Sequence, residues 1–97
     1  MLFRSAARAA QYYQLSRNLP TKARLLHIAD DYGQLDFLLL LTYPEREIVS
    51  VIEDDEKRAV AQQSYLLHIR KLQYLKARPD ESFDIEITGA EVVRKRV

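Results

Sequence analysis

The chain has 97 residues, which predicts one domain with a single modest core. Its 15 basic and 14 acidic residues give a net charge of +1, so no overall field favours nucleic acid or an anionic membrane. The absence of cysteine excludes disulfides, thiolate metal sites and cysteine nucleophiles, and no run of about 20 apolar residues is present to span a membrane.

The first predicted element is a helix over residues 3–17. Alanine, glutamine, leucine and arginine favour a helix, and apolar residues recur there at helical spacing. Residues 1–10 contain arginine, serine and alanine without acids, which also resembles a transit peptide, but we favour a helix that opens the domain. No signal-peptide core is present, so we expect a cytoplasmic protein. Pro20 ends the helix, because proline lacks the amide donor and disfavours helical angles in the preceding residue.

A buried strand, a tight turn and a second helix follow. Residues 23–29 hold a nearly continuous apolar run, which is typical of a parallel strand covered on both faces. Asp30, Asp31 and Gly33 predict the turn, because aspartates accept amide hydrogen bonds and glycine permits a positive φ. Residues 34–42 are rich in leucine and predict a helix that ends just before a proline.

A second strand and a long helix come next. Residues 47–52 are mostly β-branched, which favours a strand. The following helix begins at Asp54 or Asp55, since an aspartate there accepts the free amides of the first turn. Residues 72–75 could end this helix or form a short third strand. We favour a helix that continues to Ala77, because no glycine or proline intervenes.

The C-terminal part predicts one more strand and a tail of two possible structures. In residues 83–88 apolar and acidic side chains alternate, which is typical of an edge strand with one face in water. Gly89 ends this strand, and residues 90–97 could be a helix or a final short strand. Because two-residue hairpin turns of the asparagine-glycine or aspartate-glycine kind are absent, we expect crossover connections. The predicted fold class is α/β, a small parallel Rossmann-like sheet of three to four strands with helices packed on it.

Three segments together resemble a known family. They are RLLHIADDYGQL at residues 24–35, VSVIEDDEKRAVA at residues 49–61 and FDIEI at residues 83–87. They are similar to the first motif, to the second strand with its ribose-binding acid and following helix, and to the fourth strand of class I S-adenosylmethionine-dependent methyltransferases. The resemblance implies one truncated methyltransferase-like domain over residues 1–97, similar to the N-terminal half of such a domain, and leaves room for further modules in a larger bacterial protein.

The resemblance also implies where the cofactor S-adenosylmethionine would bind. The turn would contact it through Ala29, Asp31 and Gly33, and Glu53 would accept hydrogen bonds from the two ribose hydroxyls. The other interpretation is a plain turn, with Glu53 as an exposed acid placed at a helix start because it favours the positive end of the helix dipole.

The first motif departs from the family pattern in three places. Ala29 and Asp31 stand where the family has glycine, and His27 stands near its motif acid. The side chain of Asp31 would crowd the ligand and repel its carboxylate. Asp30 or Asp31 can also cap the helix amides that would otherwise cradle the ligand. The expected cofactor is therefore S-adenosylmethionine with weakened binding, or none.

The sequence predicts a methyltransferase-like domain in which S-adenosylmethionine binding is weakened or lost, and which is non-catalytic as an isolated chain. At most, the chain is a degenerate S-adenosylmethionine-dependent methyltransferase. We find no acceptor-site residues, and we predict no catalytic residue and no metal site. His27 is interpreted as a hydrogen-bonded core histidine and His68 as part of a solvated helix face, since neither has zinc-ligand spacing.

The alternative is a structural or protein-interaction domain. A truncated open sheet leaves an exposed edge and an uncovered apolar face, and proteins cover such edges. A homo-oligomer such as a dimer, or docking on another domain of a larger protein, would supply the cover. The predicted contact faces are residues 37–41 and a helix over residues 65–74. No nucleic-acid partner is expected, because no basic groove accompanies the tyrosines.

Overall fold

A computed structural model of the protein describes residues 6–65 and 71–96. In chain order the elements are α1 (Ala6–Asn18), β1 (Arg24–Ile28), α2 (Gln34–Thr42), β2 (Glu47–Val51), α3 (Asp55–Tyr65), β3 (Leu72–Leu75), β4 (Ile85–Thr88) and β5 (Glu91–Lys95). The predicted helix over residues 3–17 corresponds to α1. Its residues 3–5 lie outside the described ranges, as does His68. Within these ranges, no helix is long and apolar enough to cross a membrane.

The strands form one sheet in the order β3-β2-β1-β4-β5. The strands β3, β2, β1 and β4 are parallel neighbours, and β5 is antiparallel to β4. The predicted α/β class and the Rossmann-like parallel arrangement are confirmed, with five strands where three to four were predicted. The chain builds outward from β1 to β3 and then returns to the other side of β1, so the strand order reverses between β1 and β4.

The helices pack on one face of the sheet. The strand residues on this face share a row of the register, and all are buried: Leu25, Ile48, Leu72 and Ile85. They form one core cluster with side chains from each helix, namely Tyr12, Leu35, Leu39, Leu40 and Ala61. Each buried leucine or isoleucine contributes roughly 1.5–3 kcal/mol relative to an exposed one. This cluster therefore provides most of the hydrophobic stabilisation of the domain.

The opposite face is covered by an extended connection rather than by helices. Leu26, Val49 and Val51 form a second cluster on this face with Phe83. Residues 76–84 connect β3 to β4 across it, since these parallel strands lie on either side of β2 and β1. Leu26 and Val49 are 0% and 2% exposed. The expected uncovered apolar face is therefore not found in the part of the chain that the structure describes.

Residues 72–75 form β3, so the predicted helix to Ala77 is wrong. The segment pairs in parallel with β2. Leu72 and Tyr74 are buried and the residue between them is exposed, which is the period-two pattern of a strand. Pairing with β2, a long-range contact, outweighs the local helix propensity. The predicted contact face over residues 65–74 is accordingly not a single helix.

β4 and β5 form a hairpin, contrary to the expectation that crossovers connect the strands. Gly89 lies in the turn with a φ of +62°, which glycine adopts without strain. β4 is an inner strand between β1 and β5, and the prediction of an edge strand is wrong. The alternation of apolar and acidic residues in this strand wrongly indicated a face in water. Arg78 instead donates hydrogen bonds of 2.6 and 2.9 Å to the carboxylate of Glu86. Glu86 is therefore a buried and paired acid.

Candidate functional site

The carboxyl ends of β1, β2 and β4 meet at one edge of the sheet. The Ala29 amide donates to the Val51 carbonyl at 2.9 Å, and the Gly89 amide donates to the Ile28 carbonyl at 3.0 Å. Ligands of open α/β sheets bind outside this edge, at the point where the strand order reverses. That point lies between β1 and β4, which makes the loop of residues 29–33 the centre of the candidate site.

Two of the predicted contact residues, Ala29 and Gly33, form the backbone frame of this loop. Ala29 is half-buried and packs against the core cluster. Gly33 is buried and precedes the first turn of α2 with a φ of +95°, a conformation in which other residues are strained. The positive φ predicted for this glycine is confirmed. A ligand contact by either residue stays a prediction.

Asp31, the third predicted contact residue, occupies the N-terminal amides of α2. Its side chain is buried, with Oδ1 accepting a hydrogen bond from the Gly33 amide and Oδ2 from the Leu35 amide, both at 3.1 Å. The Tyr12 hydroxyl also donates to Oδ2, at 3.4 Å. Burial, and then the charge of Asp31, raise the pKa of Tyr12 to about 12. An aspartate thus caps this helix, as predicted, and takes two of the amides that would otherwise bind an anion.

Glu53, the predicted ribose ligand, lies just after β2 at the same edge. It follows Gly33 by about 20 residues, the spacing at which Rossmann folds place the acid that binds a ribose. The next residue, Asp54, caps α3 by accepting a hydrogen bond from the Lys57 amide at 2.9 Å. The Glu53 side chain is exposed and makes no hydrogen bond or ion pair with any described residue. Its carboxylate is therefore available to a ligand.

Lys57 connects α3 to the loop and was missed by sequence analysis. Its Nζ donates to the Asp30 carbonyl at 3.2 Å and lies 5.5 Å from the centre of the Tyr32 ring. A hydrogen bond and a cation–π contact of this kind hold the loop near the first turn of α3. The helix that follows Glu53 is thereby fixed against the turn that contains Asp31.

His27 lies beneath the loop in a fully buried polar network. Its Nδ1 is 2.7 Å from Asp36 Oδ1, and its Nε2 is 2.8 Å from the Gly89 carbonyl oxygen. The Ser50 hydroxyl donates to Asp36 Oδ2 at 2.6 Å. The interpretation of His27 as a hydrogen-bonded core histidine is confirmed. Asp36 and Ser50 were missed, although an acid within the apolar part of α2 was an available signal.

Both ring nitrogens of His27 face groups that can only accept hydrogen bonds, a carbonyl and a carboxylate. Burial lowers the pKa of His27, but the charge and hydrogen bond of Asp36 raise it more, so that the pKa is about 9. The ring is therefore an imidazolium at neutral pH and forms a buried ion pair with Asp36. Ser50 donates to Asp36 and not to His27, so the arrangement is not a serine–histidine–acid relay.

The described residues do not assemble a metal site. Within residues 6–65 and 71–96, no group of three histidine, aspartate or glutamate side chains could hold a metal ion. The polar groups at this edge include a capped helix start, the exposed carboxylate of Glu53 and the buried ion pair beneath them.

No protein-family model matches the sequence, and no curated protein matches it by sequence. Solved structures do match. Coclaurine N-methyltransferase, bound to N-methylheliamine and SAH, superposes with a TM-score of 0.68 at 12% identity over 84% of this chain and 26% of that one. A dimethyladenosine transferase from Plasmodium falciparum gives 0.68 at 14% identity over 91% and 33%. An SAH-bound methyltransferase of calicheamicin biosynthesis gives 0.64 at 14% identity over 82% and 25%.

These comparisons define the fold class of the chain. At 12–14% identity the likeness concerns the fold alone, and the chain spans a quarter to a third of the length of the matched chains. The resemblance to the class I methyltransferase fold is confirmed at that level. Which ligand this chain binds is a separate question, and the contacts of Asp31 and Glu53 bear on it directly.

Proposed function

We propose that the chain is a non-catalytic, methyltransferase-like domain. It binds S-adenosylmethionine and S-adenosylhomocysteine (SAH) only weakly, through the adenosine half of each ligand. One observation carries this proposal: Asp31 occupies the amides at the start of α2 at 3.1 Å, while the Glu53 carboxylate remains exposed. Glu53 fits a ribose, whose hydroxyls donate hydrogen bonds to a carboxylate. Asp31 does not fit the amino-acid end of the cofactor, because its charge opposes the ligand carboxylate.

The absence of catalysis in this proposal has its own support. The polar side chains beneath the loop, His27, Asp36 and Ser50, are fully buried and bonded to one another. They offer no group to a methyl acceptor at the surface. Transfer of a labelled methyl group from S-adenosylmethionine to any acceptor by this chain would contradict a non-catalytic domain. A cytoplasmic location stays a prediction.

Titration with SAH tests the binding half of the proposal. We expect saturable amide chemical-shift changes at residues 29–33 and at Glu53, with a dissociation constant in the millimolar range. The Glu53→Gln variant should weaken binding about tenfold or more, because a hydrogen bond to a charged group contributes about 1.5–3 kcal/mol. The Glu56→Gln variant removes an equal charge three residues away and should bind like the wild type.

Two results of that titration would contradict the proposal. No shift at millimolar SAH would mean that the edge does not bind the adenosine half. Micromolar or tighter binding would mean that Asp31 does not weaken the site. Glu53 and Glu56 are both exposed, so neither substitution removes a buried contact. The amide spectrum of each variant also shows whether its fold is intact.

A second candidate function is self-association through β5. This strand is an edge of the sheet formed by the described residues, next to β4, and all its residues are exposed, including Val92 and Val93 at 39% and 58%. The register shifts at this point, so Val93 has no opposite residue on β4. Antiparallel pairing of two copies about Val93 would place Glu91 of each opposite Lys95 of the other, and opposite charges in that position stabilise a strand pair.

Sedimentation at micromolar concentration tests this second function. We expect a dimer mass for the wild type and a monomer mass for Val93→Lys, because two lysines would then face each other across the strand pair. The Val60→Lys variant is the control, since Val60 is also exposed, at 39%, but lies on α3. A monomeric wild type with a cooperative melt, or an unaltered dimer for Val93→Lys, would reject this interface.

A further inference from the structure

Asp31 decides which charge the loop of residues 29–33 can accept. Its carboxylate accepts hydrogen bonds from the amides of Gly33 and Leu35 at 3.1 Å and from the Tyr12 hydroxyl at 3.4 Å. A carboxylate suits this position, because it accepts hydrogen bonds and donates none. Two of the amides at the start of α2, where an anionic group of a ligand would bind, are therefore already bonded to a carboxylate of the protein.

Two cations near this loop, His27 and Lys57, have other hydrogen-bond partners. His27 is paired with Asp36, so the charges of that ion pair cancel. The Lys57 ammonium donates to the Asp30 carbonyl instead. In the described ranges, no salt bridge includes Asp31. A ligand carboxylate placed at the start of α2 would meet the like charge of Asp31, whereas a neutral or cationic group would not be repelled.

We propose that Asp31 makes this site select adenine nucleosides whose 5′ substituent carries no carboxylate. The inference rests on the proposed function, in which Glu53 binds the ribose. SAH carries a carboxylate and an ammonium on this substituent, and 5′-methylthioadenosine carries neither. The decarboxylated form of SAH, 5′-(3-aminopropylthio)-5′-deoxyadenosine, carries only the ammonium. The last two are the preferred class of ligand, and the aminopropyl compound gains attraction to Asp31.

The test compares two ligands that differ by a single carboxylate. Amide-shift titrations of the wild type with SAH and with its decarboxylated form give a ratio of dissociation constants. We expect the decarboxylated form to bind at least about fivefold more tightly, the effect of one like-charge pair about 4 Å apart in a water-like dielectric. Titration with 5′-methylthioadenosine shows whether the neutral nucleoside binds at all.

Variants assign the selection to Asp31. The Asp31→Asn variant keeps a side-chain oxygen for the helix amides but loses the charge, so its ratio should fall close to one. The Asp80→Asn variant removes the same charge from an exposed position on the connection between β3 and β4, and its ratio should stay within about twofold of the wild type. An unchanged ratio in Asp31→Asn would overturn the assignment to Asp31.

The outcomes separate this inference from the proposed function. If SAH binds as tightly as its decarboxylated form, or more tightly, the selection is overturned while the nucleoside site stands. If none of the three nucleosides binds at millimolar concentration, the proposed function is overturned, and the selection with it. If Asp31→Asn does not fold, the ligand pair on the wild type still decides.

Discussion

Replacing Asp36 with alanine is expected to lower the free energy of unfolding by about 3–5 kcal/mol at neutral pH, the usual cost of breaking a buried ion pair. The variant would leave the His27 imidazolium buried without its counter-charge, and the Ser50 hydroxyl without its acceptor at 2.6 Å. For a domain of this size the loss is a large part of the total, which is about 5–15 kcal/mol. Urea unfolding at neutral pH measures it.

The pH dependence of the wild type follows from the same pair. The pKa of His27 is about 9 in the folded protein, above its usual value of 6.5. The imidazolium therefore stabilises the fold fully below about pH 6.5, and this contribution is lost as the pH rises to about 9. The free energy of unfolding should fall by a few kcal/mol across that interval. Tyr12, with a pKa of about 12, adds its own loss only above about pH 10.

The Asp36→Asn variant separates charge from hydrogen bonding. Its amide can donate to a neutral His27 ring and still accept from the Ser50 hydroxyl, while the other ring nitrogen keeps its bond to the Gly89 carbonyl. This variant should be more stable than Asp36→Ala and should lose the decline between about pH 6.5 and 9. A wild-type stability that is flat over this range, or an equal decline in Asp36→Asn, would show that the ion pair does not control it.

β1 and β3 show how much of the fold the sequence could predict. β1 carries its evidence locally, as an apolar run followed by turn residues, and its prediction is confirmed. β3 is a strand because it pairs with β2, and no local residue marks that partner. The hairpin at Gly89 was missed for a different reason, since Gly-Ala is a weaker hairpin signal than Asn-Gly. Long-range pairing thus decided the structure of residues 72–75, whereas the hairpin was missed because its local turn signal is weak.

The candidate site divides in the same way. The turn at Gly33 and an aspartate cap at Asp31 could be predicted, because both depend on residues adjacent in the chain. The Tyr12 contact to Asp31 and the pairing of His27 with Asp36 depend on how α1 and α2 pack on the sheet. Sequence reasoning could identify these side chains as polar residues in apolar surroundings, but only the packed structure assigns their partners.

Replacing Arg46 with methionine is expected to lower the free energy of unfolding by several kcal/mol and to loosen α1 from the sheet. Arg46 is fully buried, and its guanidinium donates to five oxygens at 2.6–3.1 Å: the Ser16 hydroxyl and the carbonyls of Ser16, Leu19, Pro20 and Leu39. Burial lowers the pKa of Arg46, but an arginine remains charged. Each buried carbonyl left without a donor costs about 1–3 kcal/mol.

Within residues 6–65 and 71–96 no carboxylate pairs with Arg46, and its charge is balanced by helix ends. Ser16 and Leu39 lie near the C-terminal ends of α1 and α2, where the helix dipoles are negative. Hydrogen exchange of α1 amides in Arg46→Met should therefore accelerate more than exchange in β1.

Arg46→Lys should recover part of the stability, because an ammonium has three donors and no planar fork. Arg17→Met, exposed on α1, should change stability by less than about 1 kcal/mol. If Arg46→Met were as mild as Arg17→Met, the five bonds would not be what fixes α1, and packing around Tyr12 would have to hold it instead.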